Sequence, residues 1–181
     1  MAGSTPHAPV ARRIDTGQLE SFDVLGAKIE FMTVPGLGEP DDFPCVMHGV
    51  LAPGIVVPLH SHADPETFIL RSGSLEGLSL AGAEARWLRL APGDVFHVPS
   101  HAKHAFRNFS DEPALITVVS TNRIGRFFRE IGRPMPADAR PLFPPAPETS
   151  AAFLRSVEKY GYWNASPAEN AAVGLVLGPM E

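Results

Sequence analysis

The sequence has little cysteine, no long apolar run and no block of like charges, and each absence excludes a class of protein. Cys45 is the only cysteine among 181 residues, so an intramolecular disulfide is impossible and a reducing compartment is expected. We interpret its thiol as a small packed hydrophobe. No apolar run has membrane-spanning length. The net charge of -5, from 15 basic and 20 acidic residues in mixed order, does not indicate nucleic acid or a membrane surface as a partner.

Residues 1–20 are predicted to form a flexible N-terminal arm. The first residues are small, contain proline and lack any hydrophobic period. Arg12 and Arg13 are followed by a polar stretch rather than an apolar core, so no export signal is indicated and a cytoplasmic location is expected.

Residues 21–120 have the pattern of an all-β domain. Short apolar stretches with partial alternation are separated by turns rich in Gly and Pro, and no helical period occurs among them. Residues 75–90 predict a hairpin that turns near Gly82, and residues 95–120 predict two strands separated by a turn at Pro99–Lys103. Many short strands with close turns favour a sandwich or barrel.

The remaining residues, 121–181, are predicted to be a helical C-terminal extension with a proline-rich linker. Apolar residues from Ile124 to Ile131 fall at helical spacing, and Gly132 ends the run. The prolines between Pro134 and Pro147 then predict an extended linker.

Two further short helices are expected in this extension. One runs from about Ser150 to Tyr160, with Phe153 and Leu154 on its apolar face, and the other follows a capping box at Ser166–Glu169. We expect the extension to pack on the β core or on a partner subunit, where it can cover a site.

The segment from Gly54 to Gly73 contains most of a predicted metal site. His60 and His62 are separated by one residue, so on an extended strand both side chains point to the same side. Glu66 follows after a turn and can supply a carboxylate oxygen. Imidazole and carboxylate donors suit Fe, Ni, Co, Mn, Cu or Zn, so one divalent transition metal ion is the predicted cofactor.

A further donor has to come from another part of the chain. Residues 94–108 contain three candidates, which are His97, His101 and His104. His48 is interpreted as a structural histidine, because the metal can be satisfied without it.

The spacing within the two histidine-containing segments is specific. The first fits G-x5-H-x-H-x3-E-x6-G from Gly54 to Gly73, and the second fits G-x5-P-x4-H-x3-N from Gly93 to Asn108. Together these patterns resemble the two signature motifs of the cupin superfamily. The resemblance implies a double-stranded β-helix, or cupin jelly roll, as the fold of residues 21–120.

The same resemblance implies a complete set of ligands. By correspondence with the motifs, His104 joins His60, His62 and Glu66 around the ion. His101 stands where the second motif usually has glycine.

The layout of the C-terminal extension is similar to that of the small single-domain bacterial quercetinase-like cupins. The shared features are the short helix GRFFREIG, the proline-rich linker and a helix that ends in Tyr-Gly. This similarity implies a dioxygenase that cleaves a flavonol-like or other enolisable or phenolic aromatic substrate with dioxygen. Glu66 would accept the proton of the substrate hydroxyl.

Four apolar residues are predicted to contact this substrate. Phe68 and Leu70 share a face with Glu66, Phe106 shares one with His104, and Val56 precedes the histidines on their strand. Filling of the barrel core explains these residues equally well.

Two other functional classes fit the same motifs. One is a redox-neutral cupin enzyme, such as an isomerase, lyase or cyclase, and the other is a non-catalytic small-molecule-binding cupin. A homodimer is expected, because sheet edges and an apolar extension favour association.

Overall fold

The computed structural model describes residues 11, 13, 19–35, 40–80, 84–142, 145 and 147–175. Within these ranges the chain forms two antiparallel β-sheets that enclose one apolar core, with short helices toward the C-terminus. No helix in this part of the chain is long and apolar enough to cross a bilayer.

One sheet has seven strands. In spatial order they are β11 (Arg133–Met135), β1 (Ser21–Val24), β2 (Ala27–Phe31), β3 (Pro44–Leu51), β10 (Ala114–Thr121), β5 (Glu66–Ser72) and β8 (Val95–Val98).

The facing sheet has five strands. In spatial order they are β12 (Trp163–Asn164), β4 (Val56–Ser61), β9 (His104–Arg107), β6 (Leu75–Ser79) and β7 (Arg86–Leu90). Chain neighbours such as β3 and β4 lie in different sheets, so the chain crosses between the sheets repeatedly. This is the jelly-roll arrangement, and it confirms the predicted fold class.

The core lies between the sheets because alternate residues of each strand point inward. Met47, Val118 and Phe68 are in register across β3, β10 and β5, and all three are buried. From the five-stranded sheet, Phe106 meets Phe68 with ring centroids 4.4 Å apart. The facing sides of the two sheets therefore pack together next to the segments that carry the motif histidines.

Most of the predicted strands are present, with one correction. β6 and β7 pair as the predicted hairpin, although residues 81–83 at its turn lie outside the described residues. The prediction of two strands for residues 95–120 was wrong, because three form. A turn at Asn108–Pro113 separates β9 from β10.

The predicted arm, residues 1–20, lies outside the described residues except at positions 11, 13, 19 and 20. Leu19 is buried, and the Glu20 carboxylate forms an ion pair with Arg129.

Helix α1 (Asn122–Ile131) confirms the helical spacing seen in the sequence. Its first turn is capped by the Thr121 hydroxyl, which accepts a hydrogen bond from the Ile124 amide, and its last turn by the Gly132 amide, which donates to the Phe128 carbonyl. The helix packs on β3 so closely that a Cβ at Gly125 would lie 2.8 Å from the Cys45 sulfur. Burial also raises the pKa of the Cys45 thiol, in agreement with a packed rather than reactive cysteine.

The other two helices differ in part from prediction. Helix α2 (Pro147–Ser156) begins at the last linker proline, which needs no amide partner at a helix start, and ends before the predicted Tyr160. Leu154 is 60% exposed, so its place on a packed face was wrong. Helix α3 (Pro167–Ala172) has the predicted capping box, formed by Ser166 and Glu169.

The side chain of Asn108 holds the turn between β9 and β10. It is fully buried, its Nδ2 donates to the carbonyls of Leu51 and Glu112 at 2.9 and 2.8 Å, and its Oδ1 accepts from the amide and hydroxyl of Ser110. All of its polar atoms are thus bonded inside the protein, which explains an amide at this motif position.

Asn108→Asp tests this role. The substitution keeps the shape but turns a carboxylate toward two carbonyl oxygens, so we expect the free energy of unfolding at pH 7 to fall by about 3 kcal/mol in urea titrations. As a control, Ser110→Ala loses only bonds near the surface and should cost about 1 kcal/mol or less. Equal stability of the two variants would contradict the assigned role.

Candidate metal centre

The three motif histidines come together at the end of the barrel where β4 pairs with β9. His60 lies directly opposite His104 in this pairing, and His62 follows the end of β4. One ring nitrogen from each of the three histidines lies within 4.8 Å of the others. His62 and His104 are 2% exposed, and His60 is partly exposed. The cluster can hold a metal ion.

Glu66 reaches the same point from the opposite sheet. It is the first residue of β5, and its Oε2 lies 3.3 Å from Nε2 of His62 and 3.3 Å from Nε2 of His104. The carboxylate is 4% exposed. The structure therefore brings the three histidines together and places Glu66 beside two of them, His62 and His104.

Backbone carbonyls orient two of the imidazoles. Nδ1 of His60 lies 2.7 Å from the Pro58 carbonyl oxygen, and Nδ1 of His104 lies 2.9 Å from that of Ala102. Because a carbonyl oxygen only accepts, each Nδ1 carries the proton and donates it. In the neutral ring, Nε2 then has a free lone pair, which is the form that binds a metal.

Nε2 of His104 is an orphaned buried atom. Among the described residues it has no hydrogen-bond partner, yet it lies 3.3 Å from a carboxylate oxygen of Glu66. Two lone pairs in such a position repel each other unless a proton or a metal ion lies between them. Three imidazoles and one carboxylate are a donor set that divalent transition metals accept, so the residues fit a metal ion.

The pKa values of His60 and Glu66 also favour metal binding. Burial, together with the nearby His104 and His62, lowers the pKa of His60 to about 3. Burial alone would raise the pKa of Glu66, but the adjacent His104 and His62 outweigh it and lower the pKa. A neutral imidazole beside an ionised carboxylate is the state required for metal binding.

The loop between His62 and Glu66 is fastened to the start of α1. Asp64 is buried, and its Oδ1 accepts from the Thr121 hydroxyl at 2.6 Å while its Oδ2 lies 3.2 Å from Nε of Arg123. Sequence reasoning did not single out Asp64 or Arg123, because neither belongs to a motif.

Comparison with known proteins agrees with this geometry. The Cupin_2 family, described as "Cupin domain", matches residues 47–120, the part that carries all four ligand residues. Residues 47–120 therefore form a cupin domain. No curated protein matches the sequence at a significant level.

Solved structures similar to this cupin have low sequence identity. A cupin 2 conserved barrel domain protein from Salinispora arenicola CNS-205 is 20% identical, with a TM-score of 0.48 over 66% of this chain and 93% of the other. A chain from crystal structures of the DMSP lyases RdDddP and RnDddQII is 24% identical, with a TM-score of 0.44 over 52% of this chain and 47% of the other. The present chain therefore spans about half the length of that chain. A mutant of Bacillus subtilis oxalate decarboxylase OxdC is 20% identical, with a TM-score of 0.49 over 64% and 30%.

Of the predicted substrate contacts, Phe68 and Phe106 lie nearest the ligands. The Phe106 ring centroid is 6.0 Å from that of His104 and 4.4 Å from that of Phe68. Leu70 lies one pleat beyond Phe68 and is 1% exposed within the apolar core. Contact of these three residues with a substrate stays a prediction.

Val56 lies on a different side of the sheet from the one predicted. A bulge between Val57 and His60 breaks the alternation, so Val57 pairs with Phe106 and packs on the core between the sheets. Val56 packs instead against a second apolar cluster that includes Leu59. Pro58 within the strand was the available signal, because proline in a strand often marks a bulge.

Of the other histidines that the structure describes, none belongs to the cluster of ring nitrogens. His48 is buried, and its Nδ1 lies 2.9 Å from the Ile116 carbonyl oxygen. His97 is exposed, with its Nδ1 2.9 Å from the Thr67 hydroxyl. His101 is exposed as well.

The backbone of His101 explains why cupins usually have glycine at this position. Its φ is +63°, in the left-handed region, and its amide donates to the His62 carbonyl at 2.7 Å. The turn thus keeps the geometry that a glycine would adopt, with a histidine in its place. The motif glycines Gly54, Gly73 and Gly93 also have positive φ, which glycine adopts without steric cost.

Substitutions at His101 can separate the backbone from the side chain. We expect His101→Gly to be more stable than His101→Ala by about 1 kcal/mol, because alanine keeps the left-handed penalty that glycine avoids. Thermal or urea unfolding of both variants measures the difference. Equal stability, or a more stable alanine variant, would contradict the strained turn.

Tyr162 is a site residue that the sequence analysis missed. Its ring centroid lies 4.7 Å from that of His62 and 6.1 Å from that of His60, and its plane is within 3° of the His60 plane. Burial, followed by the negative charges of Glu66 and Asp64, raises the pKa of Tyr162 well above its usual value. No motif spacing links Tyr162 to the ligands, so no sequence signal was available.

A cavity of about 590 Å³ lies between α1 and the residues that follow α2. It is lined by charged side chains that include Arg123, Arg126 and Lys159, and it contains none of the four ligand residues. Arg126 and Lys159 are paired there with Asp41 and Glu130.

Proposed function

We propose that this cupin is a metal-dependent dioxygenase that acts on a flavonol-like or other enolisable or phenolic aromatic substrate. The observation that carries the metal is the buried contact of 3.3 Å between Nε2 of His104 and Oε2 of Glu66, with Nδ1 of His104 committed to a carbonyl. A divalent cation held by these residues would remove their repulsion.

His60, His62, His104 and Glu66 would hold the ion. When bound, the metal supplies Lewis acidity that favours the anionic form of a phenolic or enolic hydroxyl. Three neutral imidazoles and one carboxylate leave the site with a net charge of about +1, which also favours an anionic ligand.

Glu66 is the proposed acceptor of the substrate proton. Its Oε2 lies 3.3 Å from Nε2 of His62 and of His104, and these histidines lower its pKa despite its burial, which favours the carboxylate form that can accept a proton. The adjacent histidines that lower its pKa make it a weak base, so it would accept a proton only from a hydroxyl that is itself acidic or is acidified by the metal. Enolic and phenolic hydroxyls are of this kind, whereas an alcohol is not.

Aromatic side chains beside the ligands support an aromatic substrate. Phe106 and Tyr162 contact the ligand rings, and Phe68 packs on Phe106. Such surfaces stabilise flat apolar rings and exclude water from the reacting anion.

Metal retention tests the ligand assignment. We expect purified protein to contain about one divalent transition metal ion per chain by elemental analysis, and His62→Ala to lose it while the β-sheet circular dichroism stays unchanged. His97→Ala is the matched control, since His97 lies outside the cluster and should keep the metal. Wild-type metal content in His62→Ala, or a metal-free wild type of normal stability, would refute the assignment.

Oxygen uptake tests the reaction class. With a flavonol as substrate, an oxygen electrode should record about one dioxygen consumed per substrate, and His62→Ala should show a loss of at least a hundredfold. Turnover that continues without oxygen would instead favour an isomerase, lyase or cyclase. Binding without turnover would favour a small-molecule-binding cupin.

A further inference from the structure

Tyr162 stands beside the ligands on a segment that is paired with their strand. β12 is antiparallel to β4, with Trp163 opposite Ser61 and Asn164 opposite His60. Tyr162 immediately precedes β12, and its ring is partly exposed. The extension therefore places an aromatic ring next to the least buried of the three histidines.

The position of the Tyr162 ring is set by contacts with α1 and with the residue after α2, rather than by the ligand histidines. Phe127 stacks on it with centroids 4.4 Å apart, and Phe127 is itself 1% exposed. The Tyr162 amide donates to the Val157 carbonyl at 2.8 Å. The ring is thus held in place by α1 and by the turn after α2, without any bond to a ligand side chain.

Arg123 ties this segment to the ligand loop. Its Nη2 donates to the Tyr160 carbonyl at 2.5 Å, and its Nε lies 3.2 Å from Oδ2 of Asp64, between His62 and Glu66 in the chain. One guanidinium therefore fixes the spacing between the loop that carries two ligands and the segment that carries Tyr162.

The Tyr162 hydroxyl is available to donate a hydrogen bond. Among the described residues this hydroxyl has no hydrogen-bond partner, and Tyr162 is partly exposed. The Nδ1 protons of His60 and His104 are already given to carbonyls. Of the rings that contact these ligands in the described chain, Tyr162 is the one with a hydroxyl.

We propose that Tyr162 binds the substrate, donating a hydrogen bond from its hydroxyl to an anionic oxygen of an aromatic or enolic molecule held at the metal centre. Its ring at the same time forms the wall over His60 and His62 against which a flat substrate lies. This inference rests on the proposed function, because it requires a substrate anion at the centre. It adds a donor that neither cupin motif contains.

Binding of 4-nitrocatechol to the Co²⁺-loaded protein tests the proposal, because the visible absorbance of this phenol reports its ionisation. Tyr162→Phe removes one hydroxyl and keeps the ring, so we expect the dissociation constant to rise about tenfold, as for a lost hydrogen bond to a charged oxygen. The Co²⁺ content and the unfolding midpoint should stay at wild-type values. Tyr162→Ala, which also removes the wall, should weaken binding further.

Tyr160→Phe is the matched control. Its hydroxyl bonds to Glu130 at 2.9 Å, away from the ligands, and the chain has two tyrosines in all. We expect wild-type affinity for the probe. In this variant the single remaining tyrosine can be followed by NMR after isotope labelling, and its ring signals should shift when 4-nitrocatechol is added.

The outcomes separate this proposal from the one on which it rests. A wild type that binds neither Co²⁺ nor the probe contradicts both, and one that binds Co²⁺ but not the probe contradicts the substrate class. A wild type that binds both, with unchanged affinity in Tyr162→Phe, contradicts the role of Tyr162 alone. Loss of Co²⁺ from Tyr162→Phe, or equal weakening in Tyr160→Phe, would likewise overturn it.

Discussion

The metal centre depends on the pairing of β4 with β9, because this register places His60 directly opposite His104. Glu66 then closes the cluster from the other sheet. Burying imidazoles and a carboxylate costs free energy unless each polar atom has a partner. Here the two Nδ1 atoms have carbonyl partners, while the atoms that face each other have none but the cluster itself. Metal binding should therefore stabilise the fold as well as complete the site.

The C-terminal extension is part of the structure of this site. β12 extends the sheet beyond β4, and the amide of Leu59 donates to the side chain of Asn170 at 2.9 Å. The Ala165 amide donates in turn to the Leu59 carbonyl. Asn170 is fully buried, so these bonds are shielded from water. The strand that carries His60 and His62 is thus held on one side by the cupin barrel and on the other by the extension.

The proximity of the motif histidines was predictable from sequence because their spacing has a direct geometric meaning. One residue between His60 and His62 fixes a shared face, and motif glycines mark turns that keep positive φ. The inner position of Val57 was not predictable, since a bulge shifts the alternation that the prediction assumed. β12 was missed because two residues carry no periodic signal, and their pairing depends on contacts far along the chain. Tyr162, which immediately precedes β12, was missed for the same reason.

Exposure of the ligands limits how a substrate can arrive. His62, His104 and Glu66 are each at most 4% exposed, whereas His60 keeps part of its surface accessible. The Tyr162 ring runs parallel to the His60 ring with centroids 6.1 Å apart, so an aromatic ring lies beside the most exposed histidine of the cluster. A bulky molecule would fit poorly beside these buried side chains, and a strongly hydrated molecule would give up bound water without gaining new hydrogen bonds. Under the proposed function a flat anion would lose least, because its ring could lie along the Tyr162 ring while its charge met the metal ion and a hydroxyl donor.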